Sequence, residues 1–495
     1  MPVRFVRLLC IFAALSPIAA GTAQADVIVL GVDGRTHHAD DPGLLPAERV
    51  PAVRRPAARG GAGGRVATAS RAPRRTVVRE LRRMRDAGAI DAFEYSERRE
   101  AYDSAKSLVK RLEGRRRIEM GAAVHLLDDM AAQGSLIVSR LEPLWRTLAV
   151  NRRWWTTGPL LVPGQRVRVD GAEMVWQYVP GQGLQFHPLA NFGKLNALWR
   201  AKRRDAALER LLDELLPMAA SRGGGLAWEY YFTFGGGRGP WVSGLAQGTA
   251  LQSLARAAIR LQRKEEVLPI AARGLRIFEL PPPTGVRVRA GDGGVHYLIY
   301  SFNPDLRILN GFVQALVGLF DLAAYANDDR ARRLFAAGDR AARAEVPRYD
   351  TGFWSRYSLQ RESDLSYHKL VIGFLENLCE RTGTPVYCET GGNFGRYLFE
   401  APVVGLETER VRAGTTAALR FRLSKVSSVR VSVTRGGRTV FLRTLYLGGG
   451  THSVAWSVPR RSGDYEVAIS ATDPAANRGA LVETVRALKA RKRRR

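Results

Sequence analysis

The sequence predicts a multidomain α plus β protein. A mainly helical α/α toroid, or partial barrel, is expected between a small β-hairpin region and a C-terminal antiparallel β-sandwich. Apolar residues at three- and four-residue spacing between positions 190 and 398 indicate a series of helices joined by short loops. Short alternating segments after residue 400 indicate the sandwich. An all-α superhelical repeat is the alternative for the helical part, although no strict repeat period is visible.

The first residues are typical of a secretory signal. Arg4 and Arg7 form a basic start, Leu8 to Ala20 is apolar, and Ala23-Gln24-Ala25 matches a cleavage site. We therefore expect residues 1–25 to be a signal peptide cleaved after Ala25, and the protein to be secreted or held in the cell envelope. A retained membrane anchor is the alternative interpretation, but the apolar stretch is short for a bilayer span.

The next two segments differ in composition. Residues 26–75 are rich in Pro, Gly, Ala and Arg, which predicts a flexible linker. Residues 76–150 are predicted to form a helical collar, because Val77, Leu81 and Met84 recur at helical spacing. A longer helix is expected over residues 118–141 and should end before Pro143.

Residues 151–400 are predicted to form the main helical domain, entered through a β-hairpin. The hairpin strands are expected at residues 165–170 and 173–179, on either side of an Asp-Gly turn. The segment Leu309 to Ala326 is the closest to a membrane span. Asp321 interrupts it, however, and its helical spacing suits a buried core helix.

Residues 401–488 are predicted to form the β-sandwich, with a basic, solvated tail at 489–495. Gly463-Asp464-Tyr465 and the segment 473–477 resemble the closing strands of immunoglobulin-like modules. The expected core consists of five apolar residues from four predicted strands: Val431, Leu442, Trp456, Val467 and Ile469.

The net charge of +29 comes from 76 basic and 47 acidic residues. Arginine is scattered through every segment, and the two basic clusters, at residues 54–75 and 489–495, lack the interleaved aromatic residues of a single-strand binder. Together with the predicted export, this pattern argues against a nucleic-acid partner. It favours anionic glycans, with the cell-envelope surface as a second candidate partner.

Two cysteines remain after removal of the signal, which contains Cys10. Cys379 and Cys388 lie nine residues apart in a compartment expected to be oxidising, so a disulfide is predicted. Metal binding is the weaker interpretation, because no His or further Cys is nearby at ligand spacing. No metal site is expected.

Several motifs in the helical part occur together in one known family. They are Leu309-Asn310-Gly311-Phe312, Tyr349-Asp350-Thr351-Gly352, and the two tyrosines that follow, Tyr357 and Tyr367. This set resembles the C-terminal domain of the D-glucuronyl C5-epimerases, enzymes that invert C5 of uronic acids within polysaccharides. The resemblance implies a uronate-containing or otherwise anionic polysaccharide as partner, and a homodimer as one assembly to expect.

The resemblance also implies site residues. Tyr300, Tyr357 and Tyr367 stand where the family has functional tyrosines, and His187 lies in a segment that the family also has. The chain departs from the family at Ile299, which replaces a glutamate. Two further departures are Ser358 in place of an aspartate and Val371 in place of a histidine.

Other candidates follow from residue chemistry. Arg356 could bind a uronate carboxylate through a bidentate pair, with an ordinary surface charge as the alternative. His296 and Glu229 could replace the missing carboxylate, and His368 follows the third tyrosine. Buried histidines are more often hydrogen-bonded structural residues than general bases.

Inversion at C5 removes a proton α to a carboxylate and returns one to the opposite face, so no cofactor is needed. The leading hypothesis is an exported enzyme of the C5-epimerase type. The alternatives are a non-catalytic glycan-binding protein that uses the same cleft, and a polysaccharide lyase that shares the first proton abstraction.

Overall fold

A computed structural model describes residues 26–41 and 75–489 of the chain. The predicted signal peptide, most of the predicted linker and nearly all of the basic tail lie outside the described residues. The elements of the first part are β1 (Asp26–Leu30), β2 (Thr36–Asp40), α1 (Val77–Asp86), α2 (Ala92–Arg111), α3 (Gly114–Ala132), α4 (Leu141–Thr157), β3 (Arg166–Val169), β4 (Val175–Val179) and β5 (Gly183–Phe186).

These strands form one sheet in the order β2-β1-β3-β4-β5. The antiparallel pairing of β3 with β4 confirms the predicted hairpin. The prediction of a linker from residue 26 is wrong for the two strands β1 and β2. β1 pairs in parallel with β3, and its residues Val27 to Leu30 are buried. A run of four aliphatic residues favours a buried strand, although the segment that follows it has the composition of a linker.

Helices α1 to α4 cover the region of the predicted collar, with one difference at Pro143. The predicted long helix ends at Ala132, and a new helix, α4, begins at Leu141 and contains Pro143 in its first turn. Proline is tolerated there because the first amide groups of a helix have no partner within the helix.

The central part is mostly helical. Its helices are α5 (Pro188–Arg200), α6 (Asp205–Leu215), α7 (Gly244–Arg260), α8 (Lys264–Gly274), α9 (Leu309–Ala326), α10 (Asp329–Glu345), α11 (Leu365–Thr382) and α12 (Pro385–Tyr397). Three short strand pairs lie between them: β6 (Ala220–Arg222) with β7 (Gly225–Ala227), β8 (Arg287–Arg289) with β9 (Val295–Tyr297), and β10 (Arg356–Ser358) with β11 (Arg361–Glu362).

Helices α7 and α9 form the centre of this core. A Cβ atom at Gly318 of α9 would clash with the backbone of Gly248 in α7, so the two helices approach each other closely where neither has a side chain. Within the described residues, α9 is the one helix long and apolar enough to cross a membrane. Because 78% of it is buried inside the protein, it is a core helix.

The predicted disulfide is confirmed. Cys379 near the end of α11 is bonded to Cys388 in the first turn of α12, with 5.0 Å between their Cα atoms. Gly383 ends α11 with a positive φ of 60°, which turns the chain back so that the two helices pack against each other.

The C-terminal part consists of strands: β12 (Val404–Leu406), β13 (Arg410–Arg412), β14 (Thr416–Leu423), β15 (Ser427–Arg435), β16 (Arg438–Leu447), β17 (Gly450–Ser457), β18 (Gly463–Thr472) and β19 (Arg478–Leu488). They form two sheets, β12-β14-β17 and β13-β19-β18-β15-β16. Apolar residues of both sheets share one core, including Trp456, Val431 and Ile469.

Two details of the predicted sandwich are corrected. The pairing of β13 with β19 is parallel, whereas the prediction was antiparallel throughout. Leu442 was expected in the core but is 49% exposed. Leu442 pairs with Ser432, whereas Phe441 of the same strand, β16, pairs with the buried Val433. Strand alternation therefore places Leu442 on the face of the sheet that points away from the core.

A buried lysine joins the C-terminal sheets to the helical part. Lys425 Nζ donates to the backbone oxygens of Tyr397 and Glu400, forms an ion pair with Asp473 at 2.8 Å, and lies 5.2 Å from the centre of the Trp354 ring. Its side chain is fully buried. A charge buried this deeply is stable only where such partners surround it.

Candidate functional site

Six aromatic side chains form one cluster beside α7 and α9, which we call the aromatic cluster. Its members are Tyr230, Phe232, Phe234, Trp241, Tyr300 and Phe302. Tyr230 and Trp241 face each other across a short antiparallel bridge, and their rings stack at 4.1 Å. The glycine-rich loop between them packs closely on Phe302, because a Cβ at Gly237 would clash with that ring.

Tyr300 lies inside this cluster and is 5% exposed. Its ring lies 5.4 Å from those of Phe234 and Phe302 and 5.8 Å from that of Trp241. The preceding Ile299 is also buried, and its side chain occupies the space beside Gly311 on α9, where a Cβ would clash with it. The position at which the family has a glutamate is therefore filled by an apolar side chain packed in the core.

Tyr357 and Tyr367 lie together next to the cluster. Tyr357 packs against the apolar residues around the cluster, and its ring meets that of Tyr367 edge to face at 4.7 Å. Both side chains are half-buried. Ser358 bridges Ile308 just before α9, and Asp364 caps α11 by accepting from the Tyr367 amide at 2.9 Å. The three predicted tyrosines are thus brought to one region by β10, α9 and α11.

A cation accompanies the tyrosine pair. The Arg361 guanidinium lies 4.8 Å from the centre of the Tyr357 ring. Such a contact holds the Tyr357 ring in place and keeps a positive charge beside it. Arg361 was not among the residues predicted from the sequence, because nothing in its local pattern distinguishes it from the many other arginines.

His187 packs on the other side of the aromatic cluster. Its ring lies 5.2 Å from that of Tyr230, and its Nδ1 accepts from the Ala190 amide at 3.2 Å, which caps α5. Burial and the Arg166 cation lower the pKa of His187 to about 3. The imidazole is therefore neutral at physiological pH, with its proton on Nε2.

Arg166 is a second residue that sequence analysis missed. It is 5% exposed on β3, and burial lowers the pKa of its guanidinium to about 10. Asp41 and Tyr230 are close enough to favour its charged form. The local pattern carried no signal, because Val167 marks the apolar side of the strand and Arg166 lies on the other side, which the protein also buries.

Glu229 lies in an ion cluster away from solvent. Its carboxylate accepts two hydrogen bonds from Arg140, at 2.7 and 2.9 Å, and one from Arg222 at 2.7 Å. The side chain is fully buried. A buried carboxylate with both oxygens paired cannot contact a polysaccharide, so Glu229 has a structural role in this structure.

His296 is also fully buried. Its Nδ1 lies 2.8 Å from Glu345, which also accepts from Arg307, and its ring lies 4.1 Å from that of Phe312. Burial lowers the pKa of His296. It stabilises the contact between β9 and α10 and does not reach the tyrosines as predicted.

His368 faces away from its neighbour Tyr367. Its ring stacks on Trp354 at 3.7 Å, its Nε2 donates to the Phe394 carbonyl, and its Nδ1 accepts from Ser355. Burial lowers the pKa of His368 to about 4. Successive residues of a helix point about 100° apart, so the placement of Tyr367 toward Tyr357 turns His368 into the core.

Arg356 is half-buried and lies outside the tyrosine group. Its Nη1 donates to the Leu359 carbonyl at 3.2 Å, and the side chain lines a cleft between the helical part and the C-terminal sheets. Among the described residues, no group of three or more His, Cys, Asp or Glu side chains is placed to hold a metal ion.

The region combines the buried aromatic cluster, which includes Tyr300, with the half-buried Tyr357 and Tyr367 and the exposed Arg361 at its edge. Tyrosine hydroxyls can exchange protons with a substrate, and a partly exposed tyrosine ring can pack on the apolar face of a sugar. Arginine is suited to a carboxylate or to the charge that develops on one. These are the groups that proton transfer next to a uronate carboxylate requires.

Comparison with known proteins agrees with this assignment for part of the chain. Residues 223–395 match the family model of the D-glucuronyl C5-epimerase C-terminus. The chain is also similar to a D-glucuronyl C5-epimerase of Caenorhabditis elegans, with 32% identity over 132 residues. The resemblance seen in the sequence motifs is thereby confirmed for residues 223–395, which include Tyr300, Tyr357 and Tyr367.

The similarity to that relative is limited in extent. It covers 24% of this chain and 21% of the Caenorhabditis elegans protein, so the chain spans about a fifth of the length of the relative. Among solved structures, an engineered protein is matched over 50% of this chain and 47% of its own, with 18% identity and a TM-score of 0.16. That score is too low for the match to bear on the fold.

Proposed function

We propose that the protein inverts C5 of uronic acid residues in an anionic polysaccharide, as an epimerase-type isomerase. The observation that carries the proposal is the contact between Tyr357 and Tyr367 beside the aromatic cluster that holds Tyr300. All three lie in the range that matches the C5-epimerase C-terminus. Tyr357 and Tyr367 are close in the chain, whereas Tyr300 precedes them by more than fifty positions, so only its approach to the pair depends on long-range contacts.

The proposed reaction begins at Tyr357. Its phenolate, favoured by Arg361, takes the proton from C5, and the electron pair of the broken C–H bond moves into the neighbouring carboxylate as an enolate. A hydroxyl of Tyr300 or Tyr367 then returns a proton to the opposite face. Exchange of these protons with solvent resets the site, and no redox cofactor or metal takes part.

A second candidate function is non-catalytic binding of the same polysaccharide. Ile299 favours it, because this side chain is packed in the core where the family has a glutamate. In that case the half-buried Tyr357 and Tyr367 and the nearby arginines would hold the glycan without proton transfer.

Incubation of the protein with a glucuronate-containing polysaccharide in deuterated water tests the proposal. An epimerase places deuterium at C5 in intact chains, and the product contains both C5 configurations. A binding protein leaves C5 unlabelled, and a lyase gives unsaturated chain ends. Either of these last two results would overturn the proposed activity.

Three further features are part of the proposal. The sequence of residues 1–25 supports export to the cell envelope or beyond. The helix pairs are proposed to form an α/α toroid, and the C-terminal sheets an immunoglobulin-like module. A homodimer is proposed from the family resemblance alone.

A further inference from the structure

A cleft of about 660 Å³ separates the helical part from the C-terminal sheets. We call it the interdomain cleft and define it by Arg356, Arg361, Glu362, Tyr446 and Gly449. The first three belong to β10 and β11, and the last two to the region where β16 turns into β17. Neither wall alone would form it.

The helical wall carries two arginines with unused ion-pairing capacity. Neither Arg356 nor Arg361 forms an ion pair with a carboxylate in residues 26–41 and 75–489, whereas Arg307, Arg330 and Arg381 each do. Arg356 is half-buried opposite Glu362 across the β10–β11 pair, and Arg361 is exposed. Guanidinium groups that form no close ion pair in the wall of a cleft are suited to an anionic ligand.

Glu362 joins the two walls. Its Oε2 accepts from the Gly449 amide at 2.7 Å, while its Oε1 has no hydrogen-bond partner among the described residues. A Cβ at Gly449 would lie 3.1 Å from Oε1, so glycine allows this close approach. Oε1 is itself buried, so Glu362 holds the two walls together and does not offer a free acceptor to a ligand.

The opposite wall presents an aromatic face. Tyr446 is 68% exposed on the edge strand β16 and lines the cleft. An exposed tyrosine ring beside hydrogen-bonding groups is a suitable platform for the apolar face of a sugar.

The cleft also adjoins the tyrosine pair. Arg361 lines it and at the same time contacts the Tyr357 ring. A polymer with one residue at Tyr357 could therefore continue along Arg361 into the cleft.

We propose that the interdomain cleft is a binding subsite for a second segment of the anionic polysaccharide. Arg356 and Arg361 bind a uronate carboxylate, Tyr446 stacks on a sugar ring, and Glu362 keeps the two walls of the cleft together. The C-terminal sheets then take part in substrate binding and are not a passive spacer. The substrate class rests on the proposed function.

The test uses the full-length chain and an unsulfated polysaccharide of alternating glucuronate and N-acetylglucosamine, with affinity measured by calorimetry. Tyr446→Ala and Arg356→Gln should each weaken binding by about tenfold, the value of one good polar or stacking contact. Arg438→Gln is the matched control, because this exposed arginine lies at the far end of β16. It should leave the affinity unchanged, which excludes a general charge effect.

Unchanged affinity in both cleft variants, or no binding by the wild-type chain, would overturn the subsite. If Arg356→Gln fails to fold, Tyr446→Ala still tests the subsite, because the Tyr446 ring is mostly exposed and its removal should not affect folding. Deuterium exchange separates failure of the subsite from failure of the proposed activity. If the wild-type protein binds the polysaccharide through Tyr446 but leaves C5 unlabelled, the subsite proposal stands and the epimerase proposal is wrong.

Discussion

The proposed chemistry depends most on one atom, the hydroxyl oxygen of Tyr357. Tyr357→Phe removes that atom and keeps the ring that contacts Tyr367 and Arg361. We expect C5 exchange to fall by about 10² to 10⁴, the usual loss for one acid/base group, with an unchanged melting temperature. The control is Tyr325→Phe at the exposed end of α9. Exchange within a few-fold of wild type in Tyr357→Phe would rule out its role.

Glu229 illustrates how a polar residue predicted for function can serve stability. Glu229→Gln leaves the buried cations of Arg140 and Arg222 without their carboxylate. We expect the free energy of unfolding in urea to fall by about 3 to 5 kcal/mol. Glu265→Gln, on the exposed surface of α8, should change it by less than about 0.5 kcal/mol. Equal effects of the two changes would argue against a structural ion cluster.

At the scale of elements, the contact between α7 and α9 determines where the tyrosines can meet. Gly318→Ala adds a Cβ that clashes with the backbone of Gly248, so it should lower stability by about 1 to 3 kcal/mol. Gly373→Ala is the matched change: it lies inside α11 with open space around its Cβ position. It should raise stability by about 0.5 to 1 kcal/mol through helix propensity. The melting temperatures of the two variants are compared with that of the wild type. A higher melting temperature in Gly318→Ala would contradict the close contact between α7 and α9.

At the scale of the whole molecule, Lys425 couples the helical part to the sheets. Lys425→Ala leaves Asp473 buried without its cation and removes donors from the end of α12. We expect the free energy of unfolding to fall by about 3 to 5 kcal/mol. We also expect the single calorimetric unfolding transition to separate into two. Lys369→Ala, exposed on α11, should leave a single unchanged transition. A single transition in Lys425→Ala would show that other contacts suffice for the coupling.

Local patterns in the sequence were enough for most elements. The β3–β4 hairpin, the core helix α9, the alternating strands after residue 400 and the Cys379–Cys388 bond all follow from periodicity, turn residues or spacing. These features are determined by interactions between residues close in the chain, which a single sequence displays directly. The family motifs likewise located the three tyrosines.

Only the tertiary structure decided which polar residues face solvent. His296, His368 and Glu229 have the same chemistry as surface residues in the sequence, yet the packing of distant elements buries each against specific partners. β1 joins its sheet through β3, more than a hundred residues later, and Arg361, Arg166 and Tyr446 acquire their neighbours in the same way. The sequence determined the local elements because their interactions are short-range, whereas burial and clefts depend on contacts between residues that lie far apart in the chain.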